Sequence, residues 1–273
     1  MSSVLFDVPG PKALRRHRMI AVATVIGLLA MSAAVIYKLY TENQLTARQW
    51  EPFVTPRIVQ ALLQGVLDTL SAAGIAIAAA VVFGLFFGVA KMSEHWIIRW
   101  PAWLVVEFFR AVPLLLLIIF LFASFNRSLG SYWCLVIGLT LYNGSVLAEI
   151  FRAGINALPR GQSEAAYGIG MRKTQVMSII LLPQAVKIML PAIISQCIVA
   201  LKDTSLGFVI LAPALTTVGR RIYGEFQNNF ATAVVLAAIY IVLNLILSWL
   251  ATKAQRRITS GTQVKIIDGQ VQA

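Results

Sequence analysis

The sequence predicts an all-α, polytopic membrane bundle of about six spanning helices, with one short helix held in a loop at its inner face. Three observations carry this. Hydrophobic residues make up 59% of the chain and charged residues only 12%, against about 25% charged in an ordinary soluble domain. The apolar residues fall in long runs without a charge. The basic residues gather in alternate connections between those runs.

A spanning helix needs about 20 apolar residues, because each adds 1.5 Å across a hydrocarbon core of about 30 Å. The first run covers residues 19–37, between Arg18 and Lys38. Basic residues before an apolar run also suit a signal peptide. The long stretch before the run and the weak small-residue site near Ala30 favour a retained helix. A polar connection, residues 41–60, holds Pro52 and Pro56. The second run, 69–90, carries Gly84 and Gly88 at the spacing of close helix pairs. The third starts near Pro101, holds Glu107, Arg110 and Pro113, and ends near Ser124. The fourth covers 128–148. A polar segment, 149–187, follows, with Ser163 as the expected N-cap of a short helix and Glu164 in its first turn. Gly168 or Gly170 is expected to end that helix. The fifth run begins near Ile188, breaks at Lys202 and Asp203, and resumes as an apolar piece over 206–218. The sixth covers 231–250. Three domains are expected: 1–60 with the added first helix, a permeation core over 61–252, and a flexible tail over 253–273.

With both termini inside, 15 basic residues lie in inner segments and 6 in outer ones, setting aside Arg110 and Lys202 within spans. Basic residues concentrate on the cytoplasmic side of membrane proteins, so the chain is expected to have cytoplasmic ends. The same asymmetry accounts for most of the net charge of +12. Nucleic-acid binding is disfavoured, because the cations alternate with apolar runs instead of sharing one solvated face. Cys134 and Cys197 sit in apolar runs and read as small buried hydrophobes. No phosphate-cradling GxxxxGK[ST] loop occurs, and neither does HExxH, CxxC or GxSxG. No cofactor, metal or catalytic residue is therefore expected, and an intramembrane enzyme would have few carboxylates to use, with 11 acidic residues in all.

A charge within the bilayer is costly and usually serves a purpose. Arg110, three residues from Glu107, either pairs with it on one helix face or meets an anionic substrate. Lys202, Asp203, Thr204 and Ser205 interrupt the fifth span. Broken helices at membrane depth line cavities, where freed backbone groups find partners, so this break is expected to border a pathway unless it marks a helix end at the outer surface. Asn143 and Ser145 would line the same path or bond between helices.

The loop carries Glu164, Ala165 and Ala166, then Gly170, then Ile180, Leu182 and Pro183. This spacing resembles the EAA loop of bacterial ABC importer permeases. Phe109 to Leu115 is similar to that family's FRGTPLL segment, with Ala111 and Val112 in place of Gly and Thr. Ala148 to Ile155 is similar to AEIxRGGI, with Ala153 for the first Gly. Pro159-Arg160-Gly161-Gln162 and Leu201 to Leu206 look like the polar amino acid branch (histidine, glutamine, glutamate), and above all the glutamate uptake permeases of actinobacteria. The resemblance covers residues 60–252 and leaves the first helix outside it.

It implies a non-catalytic transmembrane subunit in a bacterial plasma membrane, most like one that carries glutamate. The loop helix would be a coupling helix gripping an ATPase subunit, with Gly161, Glu164, Ala165, Ala166, Gly170, Arg172 and Pro183 as the coupling residues. Two ATPase copies, a second permease that is identical or homologous, and an extracytoplasmic amino-acid-binding protein would complete the assembly. An ATP-independent channel or secondary carrier is the rival reading, and it has no use for a docking helix.

Overall fold

A computed structural model describes residues 10–260, and its ordered elements are helical throughout, with no strand among the described residues. In order they are α1 (Pro11–Thr41), α2 (Ala47–Trp50), a 3-10 turn (Glu51–Val54), α3 (Pro56–Ala90), α4 (Trp96–Ala111), α5 (Leu114–Asn156), α6 (Arg160–Gly168), α7 (Lys173–Gln175), a π-helical stretch (Val176–Leu181), α8 (Leu182–Asp203), a second 3-10 stretch (Thr204–Phe208), α9 (Leu215–Phe226) and α10 (Asn229–Ser260).

Five helical segments are long and apolar enough to cross a membrane: Lys12–Thr41, Pro56–Ala90, Leu114–Asn156, Lys173–Phe208 and Asn229–Arg257. Straight, the 43 residues of α5 would reach about 65 Å, twice the hydrocarbon core. The helix does not run straight. Gly130 holds φ +75 and ψ 160, values open to glycine because it lacks a Cβ. The chain reverses there. Cys134 Sγ lies 3.5 Å from the Leu121 carbonyl, and Ile118 packs against Gly138. The arm before Gly130 is only about 24 Å long. It is extended by α4 through the Val112–Pro113 break. Six passes result: α1, α3, α4 with the first arm, the second arm, α8 and α10.

The centre of the bundle is the seam between α3 and the second arm of α5. Ala72, Ala76, Ala80, Gly84 and Gly88 recur every fourth residue along α3, and all are buried. A Cβ on Gly84 would come within 2.7 Å of Leu147 Cβ, and one on Gly88 within 2.9 Å of the Ala148 carbonyl. Small residues at this spacing let two backbones touch, which is how helices associate where water exclusion gives no drive. The sequence reading singled out only the last two members of this stripe.

The connection over 41–60 departs from the expected polar loop. Helix α3 starts at Pro56, thirteen positions before the apolar run, and α2 with its 3-10 turn fills much of the rest. Phe53 packs with Ile58, Leu62, Leu215 and Ile222. Asn228 Nδ2 donates to the Gln49 carbonyl at 2.9 Å, and Trp50 meets Phe230 edge-on. These contacts tie the connection to the α9–α10 turn at the end of the bundle opposite α6. Helix α1 itself buries none of its apolar window against the other helices. Helix α10 stays regular to Ser260, so the start of the expected tail is helical, while residues 1–9 and 261–273 lie outside the described residues.

Candidate functional site

Two places gather polar groups, one at each level of the bundle. The first is the loop helix. Helix α5 ends at Asn156, and Pro159 serves as N-cap of α6, so α6 begins at Arg160, four residues earlier than a Ser163 cap would allow. Proline fixes φ near the helical value and lacks the N–H that a first turn leaves unpaired, which suits it to this boundary. Ser163 Oγ instead donates to the Arg160 carbonyl at 2.8 Å, and Glu164 stands in mid-helix. The helix closes at Ile169 and Gly170, whose φ of +83 explains the glycine. Arg172 takes the Gln175 side-chain oxygen on its backbone N–H at 2.8 Å, starting α7.

One face of α6 is fixed and the other is free. Ala166 is buried, and α6 packs against the π-helical stretch that begins with buried Val176. Gly161, Glu164 and Ala165 are exposed, as are Tyr167 and Ile169, the latter at 80%. Glu164 has no ion-pair partner among the described residues. Pro183 sits in the first turn of α8, exposed, where the π-helical stretch gives way to regular helix. The sequence reading missed Tyr167 and Ile169. An apolar residue beside a helix-ending glycine in a polar loop was the available signal.

Beside α6 lies a charge network. Lys91, with its side chain 5% exposed, reaches Glu107 at 3.1 Å and also pairs with Glu149. Arg110 pairs with Glu107 at 3.2 Å and Arg152 with Glu149 at 2.8 Å. Lys173 pairs with Glu94, and that ion pair holds the Glu94 carboxyl below its ordinary range. Arg110 therefore has a carboxylate partner. It opens with Tyr142 and Glu149 onto a shallow depression at the α6 end, well apart from Lys202.

The second place is the break in the fifth pass. Helix α8 stops at Asp203, and a 3-10 turn and a loop separate it from α9. The expected apolar piece over 206–218 is thus two elements, and α9 (Leu215–Phe226) buries one face and exposes Arg220 and Arg221. The break is at depth. Gln196 Nε2 donates to Asn143 Oδ1 at 2.7 Å, and the Asp203 carboxylate lies beside the same Asn143 amide. Asn143 is in the middle of the second arm of α5, so Asp203 stands well below the Gly130 reversal. Ser145 is buried and donates to its own helix at Leu141, 2.8 Å, lining nothing. Thr204 is buried too, its hydroxyl on the Leu201 carbonyl at 2.6 Å.

Lys202 and Ser205 face a cleft of about 590 Å³ whose other polar walls are Thr216, Tyr240, Asn244 and Ser248. Clefts of this size hold small-molecule ligands. Tyr240 Oη and Asn244 Oδ1 are buried with no hydrogen-bond partner, although Thr69, Thr204 and Thr216 surround the phenol. The sequence reading missed these wall residues. Tyr240, Asn244 and Ser248 recur every fourth position in an otherwise apolar run, a polar helix face that was open to notice. Among the described residues no three His, Cys, Asp or Glu side chains cluster as metal ligands would.

Residues 80–260 match the family described as the binding-protein-dependent transport system inner membrane component. The chain belongs to this family. As one of its members it is the membrane component of a transport system, and the family match contains α6, the break in the fifth pass and the whole cleft. The chain is 41% identical to the glutamate transport system permease protein GluD of Corynebacterium glutamicum, over 84% of this chain and 86% of that one. It is 32% identical to the arginine transport system permease protein ArtQ of Bacillus subtilis, over 73% and 93%. Among solved structures, an amino acid ABC transporter with histidines superposes with TM-score 0.68 at 31% identity, covering 74% of this chain and 95% of that chain. The MetNI methionine ABC transporter superposes equally well, TM-score 0.68, at 19% identity, which shows the shared fold alone.

Proposed function

We propose that this chain is the transmembrane subunit of an ATP-driven importer of glutamate, in which a separate ATPase subunit grips α6. The single observation that supports the coupling role is the two-faced α6. Its inner side is locked on the π-helical stretch through Ala166, and its outer side presents Glu164, Ala165, Tyr167 and Ile169 with no partner. A helix so placed transmits a push to α5, which ends four residues before it, and to α8 through the π-helical stretch it packs against, which runs directly into α8. The α6 end is then cytoplasmic, both termini with it, in a bacterial plasma membrane. An extracytoplasmic binding protein delivers the amino acid at the opposite end.

The cleft beside the break supports an acidic amino acid as cargo. Lys202 offers a cation for a carboxylate, and Ser205 and Thr216 offer hydroxyls beside the Tyr240 and Asn244 walls. The cleft is walled by α8, the second 3-10 stretch, α9 and α10, leaving its open side for a second permease chain, identical or homologous. The 41% identity to a permease named for glutamate points the same way. This chain binds no nucleotide in this reading and does no chemistry of its own.

The test is uptake of labelled glutamate by cells carrying the intact transport system. Glu164→Lys should abolish uptake and co-purification of the ATPase while membrane insertion persists. Uptake that survives both this change and loss of the ATPase would refute the coupling role. Competition by aspartate but not by arginine is expected, and the reverse order would refute the acidic cargo.

A further inference from the structure

The charge network at the α6 end borders a second cleft that the transport reading does not use. One face of α4 carries Trp96, Arg99, Trp100, Trp103 and Glu107 at three- and four-residue spacing. With Lys91 and Arg152 these residues enclose a space of about 370 Å³. Three cations line it, Lys91, Arg99 and Arg152, against the carboxylate Glu107 in the wall and Glu149 behind Lys91 and Arg152. Both carboxylates are already shared between two cations each. Arg99 has no carboxylate partner among the described residues, so the cleft keeps an excess of one positive charge.

The rim is apolar and amphipathic. Trp96, Trp100 and Trp103 are all exposed, and their indole N–H groups have no acceptor among the described residues. Indoles with an apolar body and a polar N–H settle at the membrane–water boundary. The cleft lies at that boundary, where α3 ends and α4 begins. Outside it, Ile97, Leu104 and Phe108 are exposed on the rest of α4, as a lipid-facing surface requires.

We infer that this cleft holds the headgroup of an anionic phospholipid from the leaflet at the α6 end. Arg99 and Arg152 meet the phosphate, and the three indoles donate to its ester oxygens and pack against the first part of the acyl chains. A free phosphate would satisfy only the cations and leave the indole wall unused, and a neutral headgroup would leave the charge excess unmatched. The inference rests on the helices lying in a membrane and not on glutamate as cargo.

The test uses the full chain in phosphatidylcholine vesicles containing brominated phosphatidylglycerol or, at the same fraction, brominated phosphatidylcholine. Trp50, Trp133 and Trp249 are replaced by Phe so that only the rim indoles report. The anionic lipid should quench at about five-fold lower content than the neutral one, the discrimination that one cation at a bilayer surface gives. Arg99→Gln should remove that factor, while Arg256→Gln, a distant exposed cation, should not, and excess inorganic phosphate should leave the quenching unchanged. Equal quenching by the two lipids, an equal effect of Arg256→Gln, or displacement by inorganic phosphate would each overturn the assignment. So would indoles that neither lipid reaches, which would mean that a second protein chain covers the groove.

Discussion

The seam between α3 and the second arm of α5 and the cleft between α8, α9 and α10 lie in the same bundle and are built on opposite terms. The seam is dry and made of Ala and Gly, and the backbones approach until an added Cβ would clash. The cleft keeps open space and two buried polar atoms with no partner. The difference teaches where this molecule is rigid and where it is held ready. Close backbone contact has one arrangement, so the seam is a fixed frame, whereas the side chains that wall the cleft can change rotamer to suit what enters it.

The largest way to break that contrast is to put a side chain into the seam. Gly84→Leu should lower stability by about 3 kcal/mol or prevent assembly, since the new Cβ already meets Leu147. Thermal unfolding of the detergent-purified chain measures this, and an unchanged midpoint would show that the seam can open. Next in size, Lys202→Gln should raise the KM for glutamate uptake about ten-fold with stability unchanged, as expected for losing one charge-assisted contact. Tyr240→Phe is a sharper probe. The phenol oxygen is buried beside Thr69, Thr204 and Thr216 and forms no well-aligned hydrogen bond with the described residues, so the unfolding midpoint should hold or rise slightly, while uptake should fall. A destabilised Tyr240→Phe would show that the hydroxyl is part of the frame after all.

The smallest effect concerns the tie between the α6 loop and the α3–α4 turn. Pairing with Lys173 lowers the Glu94 carboxyl from its ordinary value of 4.5. A lowered folded-state value means the tie is in force above that ordinary value and is lost as pH falls through the lowered one. Both partners are exposed, so solvent screens the pair. Backbone hydrogen exchange over residues 172–176 should quicken slightly as pH falls below the ordinary value, once the intrinsic rate is removed, and Glu94→Gln should erase that dependence.

Several features were legible in the residues themselves because they follow from short-range rules. Uncharged apolar runs marked the order of the passes, while their count rests on the Gly130 reversal inside α5, since five helices meet the length and hydropathy of a span. The polar segment between the fourth and fifth runs marked the short loop helix, and Lys202–Ser205 marked the break. Other expectations failed where a local rule met a competing one. Ser163 looks like a cap, yet Pro159 starts the helix earlier, because proline fills that boundary without wasting an N–H. Of the two readings of Arg110, the pairing with Glu107 is the one the structure forms. Ser145 looked like a pathway residue, but its rotation on α5 buries it.

By itself, then, the sequence determined what must lie in the membrane, where the chain turns, and which loop stands out, since hydropathy and turn chemistry act between near neighbours. Only the tertiary structure decided which polar residues share a space. Tyr240 meets Thr69 and Thr204, and Asn143 meets Gln196 and Asp203, through helices that lie far apart in the chain. Those meetings depend on how far each helix is rotated about its axis, and that rotation is set by packing between helices, which for α3 and α5 is the Ala and Gly stripe of the seam.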